Sequence, residues 1–412
     1  MNPAIPRHDP YLALRYPAYR WLLTGTLTMY SGFFLQSLVM GWQVYELTHD
    51  PLSLGLIGLA EALPCLALTL FGGWAADRWD RRHLSVGATS LLLGCAILLL
   101  GLNLQPQLRS TWPFYAIQAL AGVGRAFFRP ATQSLGTDLV PKEAYQNAAT
   151  WRSSIQHLSR ALGPALGGLL YAYGSGRLAY SVEVLLMATS VYAWARIRAK
   201  APLPDPALPI WQGLSEGISF IAGKRLLLAA ITLDLFAVMF GGALALLPAF
   251  ASDVLRIGPQ GLGLLRAAPA LGSVLMAIGL AHHGTMHRAG RVLLSSIAGF
   301  GLCWIAFAFS TSFGCSAFLL LASGAFDNVS SVLRATLIQT LTPRELMGRA
   351  QAVNGLFIAS SNELGAFESG LAARLMGLVP SVVLGGCLSL AAVGVAAWRV
   401  PELRKLKRIV VD

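Results

Sequence analysis

Apolar runs of about twenty residues, each closed by a short charged or proline-bearing loop, recur from one end of this 412-residue chain to the other. A run of that length is what a helix needs to cross the hydrocarbon core of a bilayer. The spans fall near 19–44, 51–75, 83–104, 112–137, 146–172, 178–197, 225–249, 257–281, 291–310, 313–339, 350–376 and 380–399. Only 12% of the residues are charged and 55% are hydrophobic, whereas a soluble domain carries about 25% charge. The expected fold is an all-α integral membrane protein with twelve transmembrane helices.

A net charge of +12 would suggest a nucleic-acid partner in a soluble protein. Here the charges alternate by loop. With both termini placed in the cytoplasm, 22 of the 31 Lys and Arg fall on that side, including all five lysines; four lie near outer loops (Arg109, Arg177, Arg256, Arg374) and five within spans. This is the positive-inside pattern, which removes nucleic acid as a partner and places the chain in the inner (plasma) membrane, crossing it many times. Cys65, Cys95, Cys303, Cys315 and Cys387 are scattered and read as packing residues. His282, His283 and His287 have no carboxylate or cysteine nearby to complete a metal site, so neither a metal nor a cofactor is expected. Walker, Gly-x-Ser-x-Gly and His-Glu-x-x-His patterns are missing, which argues against an enzyme.

The chain repeats itself. Leu139-Val140-Pro141-Lys142-Glu143 answers Leu341-Thr342-Pro343-Arg344-Glu345 at an offset of 202, which also carries Leu162-Gly163 onto Leu364-Gly365 and Gly168 onto Gly370. Leu54-Gly55-Leu56 answers Leu262-Gly263-Leu264 at an offset of 208. Between the copies lies a proline-rich link and an amphipathic segment. The expected organisation is a six-helix bundle over 1–197, a cytoplasmic linker over 198–222 and a second six-helix bundle over 223–412. Two pseudo-symmetric bundles are an arrangement suited to alternating access around a central site.

Residues 72–82, Gly-Gly-Trp-Ala-Ala-Asp-Arg-Trp-Asp-Arg-Arg, read as a polar turn at the membrane surface, with Gly73, Asp77, Arg78, Arg81 and Arg82 forming a latch between helices. The spacing resembles the loop between helices 2 and 3 of the major facilitator superfamily, with Ala75 and Asp80 standing where that pattern has Leu and Gly. Gly163-Pro164-Ala165-Leu166-Gly167-Gly168 is similar to the end of the superfamily's antiporter signature, although Thr150 and Ser159 replace its upstream glycines. Small residues there permit close helix packing, and proline permits a bend. Trp42-Gln43-Val44-Tyr45-Glu46-Leu47-Thr48, Leu233-Asp234-Leu235-Phe236 and Gly263-Leu264-Leu265-Arg266-Ala267-Ala268-Pro269 are similar to the branch of efflux proteins that includes the enterobactin exporter. The arginine of the span 4 antiporter pattern is replaced by Gln118. The resemblance, over essentially the whole chain, implies a transporter whose spans 1, 4, 7 and 10 line a central cavity.

Eleven charges fall inside spans: Glu61, Arg125, Arg129, Arg160, Glu183, Asp234, Arg266, Asp327, Arg334, Glu363 and Glu368. Each is costly in lipid unless paired or facing water, so each is a functional candidate. Six acids against five bases suggests internal pairing. At the 202 offset Arg125 maps onto Asp327, and the expectation is a polar bridge between them across the cavity, direct or through substrate or water, with Arg129 one turn nearer the cytoplasm; the alternative is a static ion pair that only fixes packing. Asp234 has no base within a turn on its own helix and is ranked first as proton carrier, with Glu61 second and Asp327 a further candidate; the alternative is an Asp234 tied up with Arg266 or Arg160 from another span. Glu363 and Glu368 are read either as part of the latch or as partners of Arg160 or Arg334. Gln36, Gln43, Trp42, Tyr45, Phe236 and Phe240 add a polar and aromatic lining suited to a bulky amphipathic compound. The expected function is export of siderophore-like or drug-like molecules by proton antiport. A proton-independent importer or facilitator of the same fold is the alternative. A monomer is expected, with a small-molecule substrate, protons and the bilayer as partners.

Overall fold

In the computed structural model the described residues are 9–105, 110–198, 210–241, 243–283, 288–343 and 346–406, without the side chains of 70, 77, 134, 137, 142, 210–214, 281, 283 and 359. They are almost entirely helical, and no strand occurs among them. A chain surrounded by lipid must satisfy its backbone within each segment, which leaves helices as the available solution for apolar runs of this kind.

The first half comprises α1 (Pro17–Thr48), α2 (Pro51–Arg78), α3 (Arg81–Leu104), α4 (Trp112–Asp138) and α5 (Tyr145–Arg196). Local chemistry sets their ends. Asp50 caps α2, accepting from Leu52 N–H at 3.0 Å with Pro51 in the first turn, and Asp80 caps α3, accepting from Arg82 N–H at 2.8 Å. The 52 residues of α5 would run about 78 Å as one rod, far beyond a bilayer. It breaks at Gly174 and Ser175, the latter at φ 58°, and folds back as two limbs that match the predicted fifth and sixth spans.

The second half comes after the link, whose residues 199–209 lie outside the described residues. The amphipathic segment is a helix, α6 (Ile210–Gly223), which belongs structurally to the second half: Glu216 pairs with Arg349, and Gly217 lies against the Arg349 carbonyl. Next come α7 (Arg225–Gly241), continued by a 3-10 turn, a short α turn and a π segment to Val254, then α8 (Pro259–His283), α9 (Ala289–Ala308), α10 (Phe313–Leu341), α11 (Met347–Met376), α12 (Leu378–Arg399) and the short α13 (Pro401–Lys405). Among the described residues, eight helical stretches are both long and apolar enough to cross a membrane. Helices α1, α4 and α11 are 32, 27 and 30 residues long and carry more polar groups.

Both ends of the described chain sit at one face, here the terminal face. Ala13 N–H bonds Asn147 near the start of α5, and the Leu403 carbonyl packs on Gly290 at the start of α9. At the opposite, far face the halves meet through glycine. A Cβ on Gly168 of α5 would stand 3.0 Å from the Gly263 Cα of α8, and one on Gly370 of α11 would stand 3.0 Å from the Gly55 Cα of α2. These are the glycines that the two sequence offsets relate. Tyr45 Oη donates to Asp253 at 2.5 Å, and Arg374 pairs with Asp50 at 3.2 Å, fastening the same face.

The 72–82 stretch is not a loop. Residues 72–78 complete α2, leaving Trp79 and Asp80 as the turn, because the apolar Trp74-Ala75-Ala76 run extends the helical pattern to the charges.

Candidate functional site

Three exposed charged side chains deep in the protein outline an opening between the halves, beneath the glycine crossings, which we call the chamber. It is revealed by exposure in unexpected places. Asp327 stands midway along α10 and deep in the protein body, yet its side chain is exposed, as are those of Arg129 on α4 and Arg160 on α5. Asp327 feels the charge of Arg160 from the opposite half.

One wall is a polar chain within the first half. Arg125 pairs with Glu61 of α2; Glu61 also accepts from the Gln118 amide, whose oxygen accepts from Gln36 at 3.2 Å. The guanidinium of Arg125 lies 3.8 Å from the ring centre of Phe33, a cation–π contact in a desolvated setting. This corrects the expectation of a direct Arg125–Asp327 pair. The two do sit at matching depths, but Arg125 turns into its own bundle towards a carboxylate on the next helix.

Asp234 is not unpaired. It forms a buried ion pair with Arg334 of α10, and both side chains are over 90% buried. Arg334 lies about 10 Å from the terminal-face end of its helix, counting 1.5 Å per residue. A search along α7 alone could not find this partner. Gln43 is also displaced from the expected lining: its amide donates to Asn103 of α3 at 2.6 Å and its oxygen accepts from Tyr180 at 2.8 Å, inside the first half near the far face. Phe236 and Phe240 stack on each other at 6.0 Å along α7, and Phe236 is exposed. Trp42 is buried, and Tyr45 joins the far-face closure.

Residues that the sequence left undecided prove central. Glu363 of α11 lies against Gly58 of α2, within electrostatic reach of Arg125, Arg129 and Arg266 and without an ion pair to any of them among the described residues. Arg266 of α8 reaches across the halves to Ser37 of α1, donating to its hydroxyl at 2.8 Å. Their presence in apolar spans was the available signal; their convergence was not legible.

The antiporter-like glycines act through contact. A Cβ on Gly163 would stand 2.8 Å from the Ser31 carbonyl of α1, one on Gly167 3.2 Å from the Leu35 carbonyl, and the Pro164 carbonyl faces Gly263. Gly168 completes the crossing to α8. In the latch region, Gly72 rather than Gly73 makes the close approach, lying on the Ala126 backbone, while Gly73 meets nothing. Arg81 donates to Asp138 at 2.6 Å and Arg82 to the Ala195 carbonyl at 2.5 Å, while Arg78 covers Trp74 at 4.9 Å. In this structure Arg81 and Arg82 therefore tie α3 to α4 and to the second limb of α5, while Arg78 stays on its own helix. The Asp77 side chain lies outside the described residues.

Comparison with known proteins agrees with this architecture. The chain is 25% identical to the multidrug efflux pump Tap of Mycolicibacterium fortuitum, over 93% of this chain and 96% of that protein. It is 27% identical to the enterobactin exporter EntS of Shigella flexneri, over 95% and 94%. Its fold superposes on a crystal structure of a POT family transporter with a TM-score of 0.75 at 11% identity, covering 94% of this chain and 96% of the other. A bacterial homologue of the human lysosomal transporter Spinster, in an inward-facing and unoccupied conformation, gives 0.67 at 15% identity, with the same coverage. The family model for transmembrane secretion effectors matches residues 8–410. With two halves joined by glycine crossings around a charged chamber, the chain belongs to the transmembrane secretion effector family, a family of major facilitator transporters.

Proposed function

We propose that this protein exports small amphipathic molecules by proton antiport, exposing its chamber alternately to the two faces of the inner membrane. The observation that carries the reading is the asymmetry of closure. The bonds and glycine crossings between the halves gather from the middle of the helices to the far face, while ionisable groups below them remain accessible. Such a structure is one end state of a rocking pair, open towards the terminal face. The efflux pump Tap and the exporter EntS, both aligned over nearly the full chain, support the direction. The positive-inside pattern supports cytoplasmic termini, and the repeat supports twelve crossings by a monomer divided at residues 198–222.

Asp327 takes first place as proton carrier. It is accessible from the chamber and forms no ion pair among the described residues, whereas Asp234 and Glu61 are each held by an arginine. A group free to meet water can load and release a proton without first breaking a buried pair. For the other state, Gly73 on α2 and Gly355 on α11, both open on their Cβ side and both near the terminal face, offer a second close approach when the far face opens.

The test is reconstitution into proteoliposomes with an imposed pH gradient, screened against siderophores and cationic dyes. Efflux that collapses with the gradient and with Asp327→Asn is expected. Gradient-independent uptake would show a facilitator instead.

A further inference from the structure

Eleven intramembrane charges nearly balance in the sequence, but the structure sorts them unevenly. Asp234 and Arg334 neutralise each other. Glu183 is fully buried in the second limb of α5, its Cγ 3.7 Å from where a Cβ on Gly32 would stand, away from the chamber. Glu368 bonds Ser369 next to the α2–α11 glycine crossing. With Arg125 and Glu61 paired inside the first half, three cations remain between the halves, Arg129, Arg160 and Arg266, against two anions, Asp327 and Glu363.

Asp327 senses Arg160 across the halves but forms no ion pair among the described residues. Glu363 alone remains among Arg125, Arg129 and Arg266. The guanidinium of Arg266 has only neutral oxygens of Ser37 as hydrogen-bond acceptors, and Arg129 is exposed with no ion pair among the described residues. Beside these cations runs an aromatic wall on α1. Phe33 lies under Arg125 and 5.1 Å from Phe34, which stacks on Tyr30 at 6.3 Å. Guanidinium groups suit planar anions, and the rings suit a flat apolar body.

We infer that the chamber binds an aromatic organic anion, with Arg129 and Arg266 as its recognising cations and Glu363 as the resident counter-ion that the ligand's anionic group displaces. The assignment rests on the transporter reading above and narrows it to one charge class. Glu363 keeps the cluster close to neutral between cycles, so the surplus positive charge does not trap the cargo. Because Glu363 belongs to the second half while Arg125 and Arg129 belong to the first, the ligand takes over a contact that bridges the halves.

The test uses two dyes that share a xanthene ring system and differ in charge, the anion carboxyfluorescein and the cation rhodamine 6G. Binding to the purified full-length protein is measured by fluorescence polarisation. Carboxyfluorescein is expected to bind at least about tenfold more tightly than rhodamine 6G. Arg129→Gln and Arg266→Gln should each weaken it by about tenfold, the scale of one lost charge-assisted hydrogen bond. Arg129→Lys should bind more tightly than Arg129→Gln but more weakly than the unaltered protein, since it keeps the charge and loses the planar fork, and Glu363→Gln should raise the affinity several-fold. Should Arg266→Gln aggregate on gel filtration, the exposed Arg129 carries the test. Preference for rhodamine 6G, binding of neither dye, or unchanged affinity in Arg129→Gln would overturn the assignment. Efflux from proteoliposomes is scored separately. Carboxyfluorescein binding without efflux would defeat the export reading and leave the site standing, whereas efflux of rhodamine 6G alone would do the reverse.

Discussion

At the far face, Gly168 meets Gly263 and Gly370 meets Gly55 so closely that an added Cβ on Gly168 or Gly370 would stand 3.0 Å from the facing Cα, one crossing on each side of the pseudo-two-fold axis. A few turns below, the related positions Arg125 and Asp327 carry opposite charges and face different partners. The duplicated chain has stayed alike where its halves touch and diverged where they face the chamber. Two backbones in contact leave room for hydrogen and nothing else, so both copies of a crossing are held to glycine. A chamber wall sets no such limit on the side chains it carries.

The largest effect is expected in the divergent region. Arg125→Gln leaves Glu61 buried without its ion partner and should lower stability by about 3–5 kcal/mol, read as a lower melting temperature in detergent. Glu61→Gln combined with Arg125→Gln should recover much of the loss. If the double variant is as unstable as the single, the pair is not the unit of stability that the geometry suggests.

Next come the crossings. Gly168→Val and Gly370→Val should each lower stability by about 1–3 kcal/mol, since an added side chain must push the backbones apart. Both should reduce transport by a similar factor. Unequal losses would break the equivalence of the two sites.

The two aspartates should separate by role. Asp327→Asn should abolish the response of transport to a pH gradient, while Asp234→Asn should keep it and mainly lower thermal stability. The opposite pattern would return the proton to Asp234 and assign Asp327 to cargo alone. The smallest effect belongs to the rim: Arg374→Ala removes a partly exposed pair with Asp50 and should change stability by about 0.2–1 kcal/mol or less. A larger change would mean that the ends of the helices, rather than the glycines, hold the far face shut.

The spans and the repeat were legible in the sequence, and so were the glycines at the crossings. A bilayer forces each crossing segment to be long, apolar and internally bonded, and these are properties of consecutive residues. Close backbone contact likewise leaves its mark at single positions, which is why Gly55, Gly168, Gly263 and Gly370 could be matched by offset before any helix was placed. The extent of α2 was less legible, because charges at a helix end look like a loop when the helix continues to the water.

What sequence by itself determined was depth: which residues lie within the membrane, and which positions in the two halves correspond. Only the tertiary structure decided partnership. A helix turns its side chains by about 100° per residue, so two charges at one depth can face each other or face apart. Arg125 turned to Glu61 rather than Asp327, Asp234 found Arg334 on another helix, and Glu363 came to stand among three arginines, all through helix rotation and packing that no local pattern encodes.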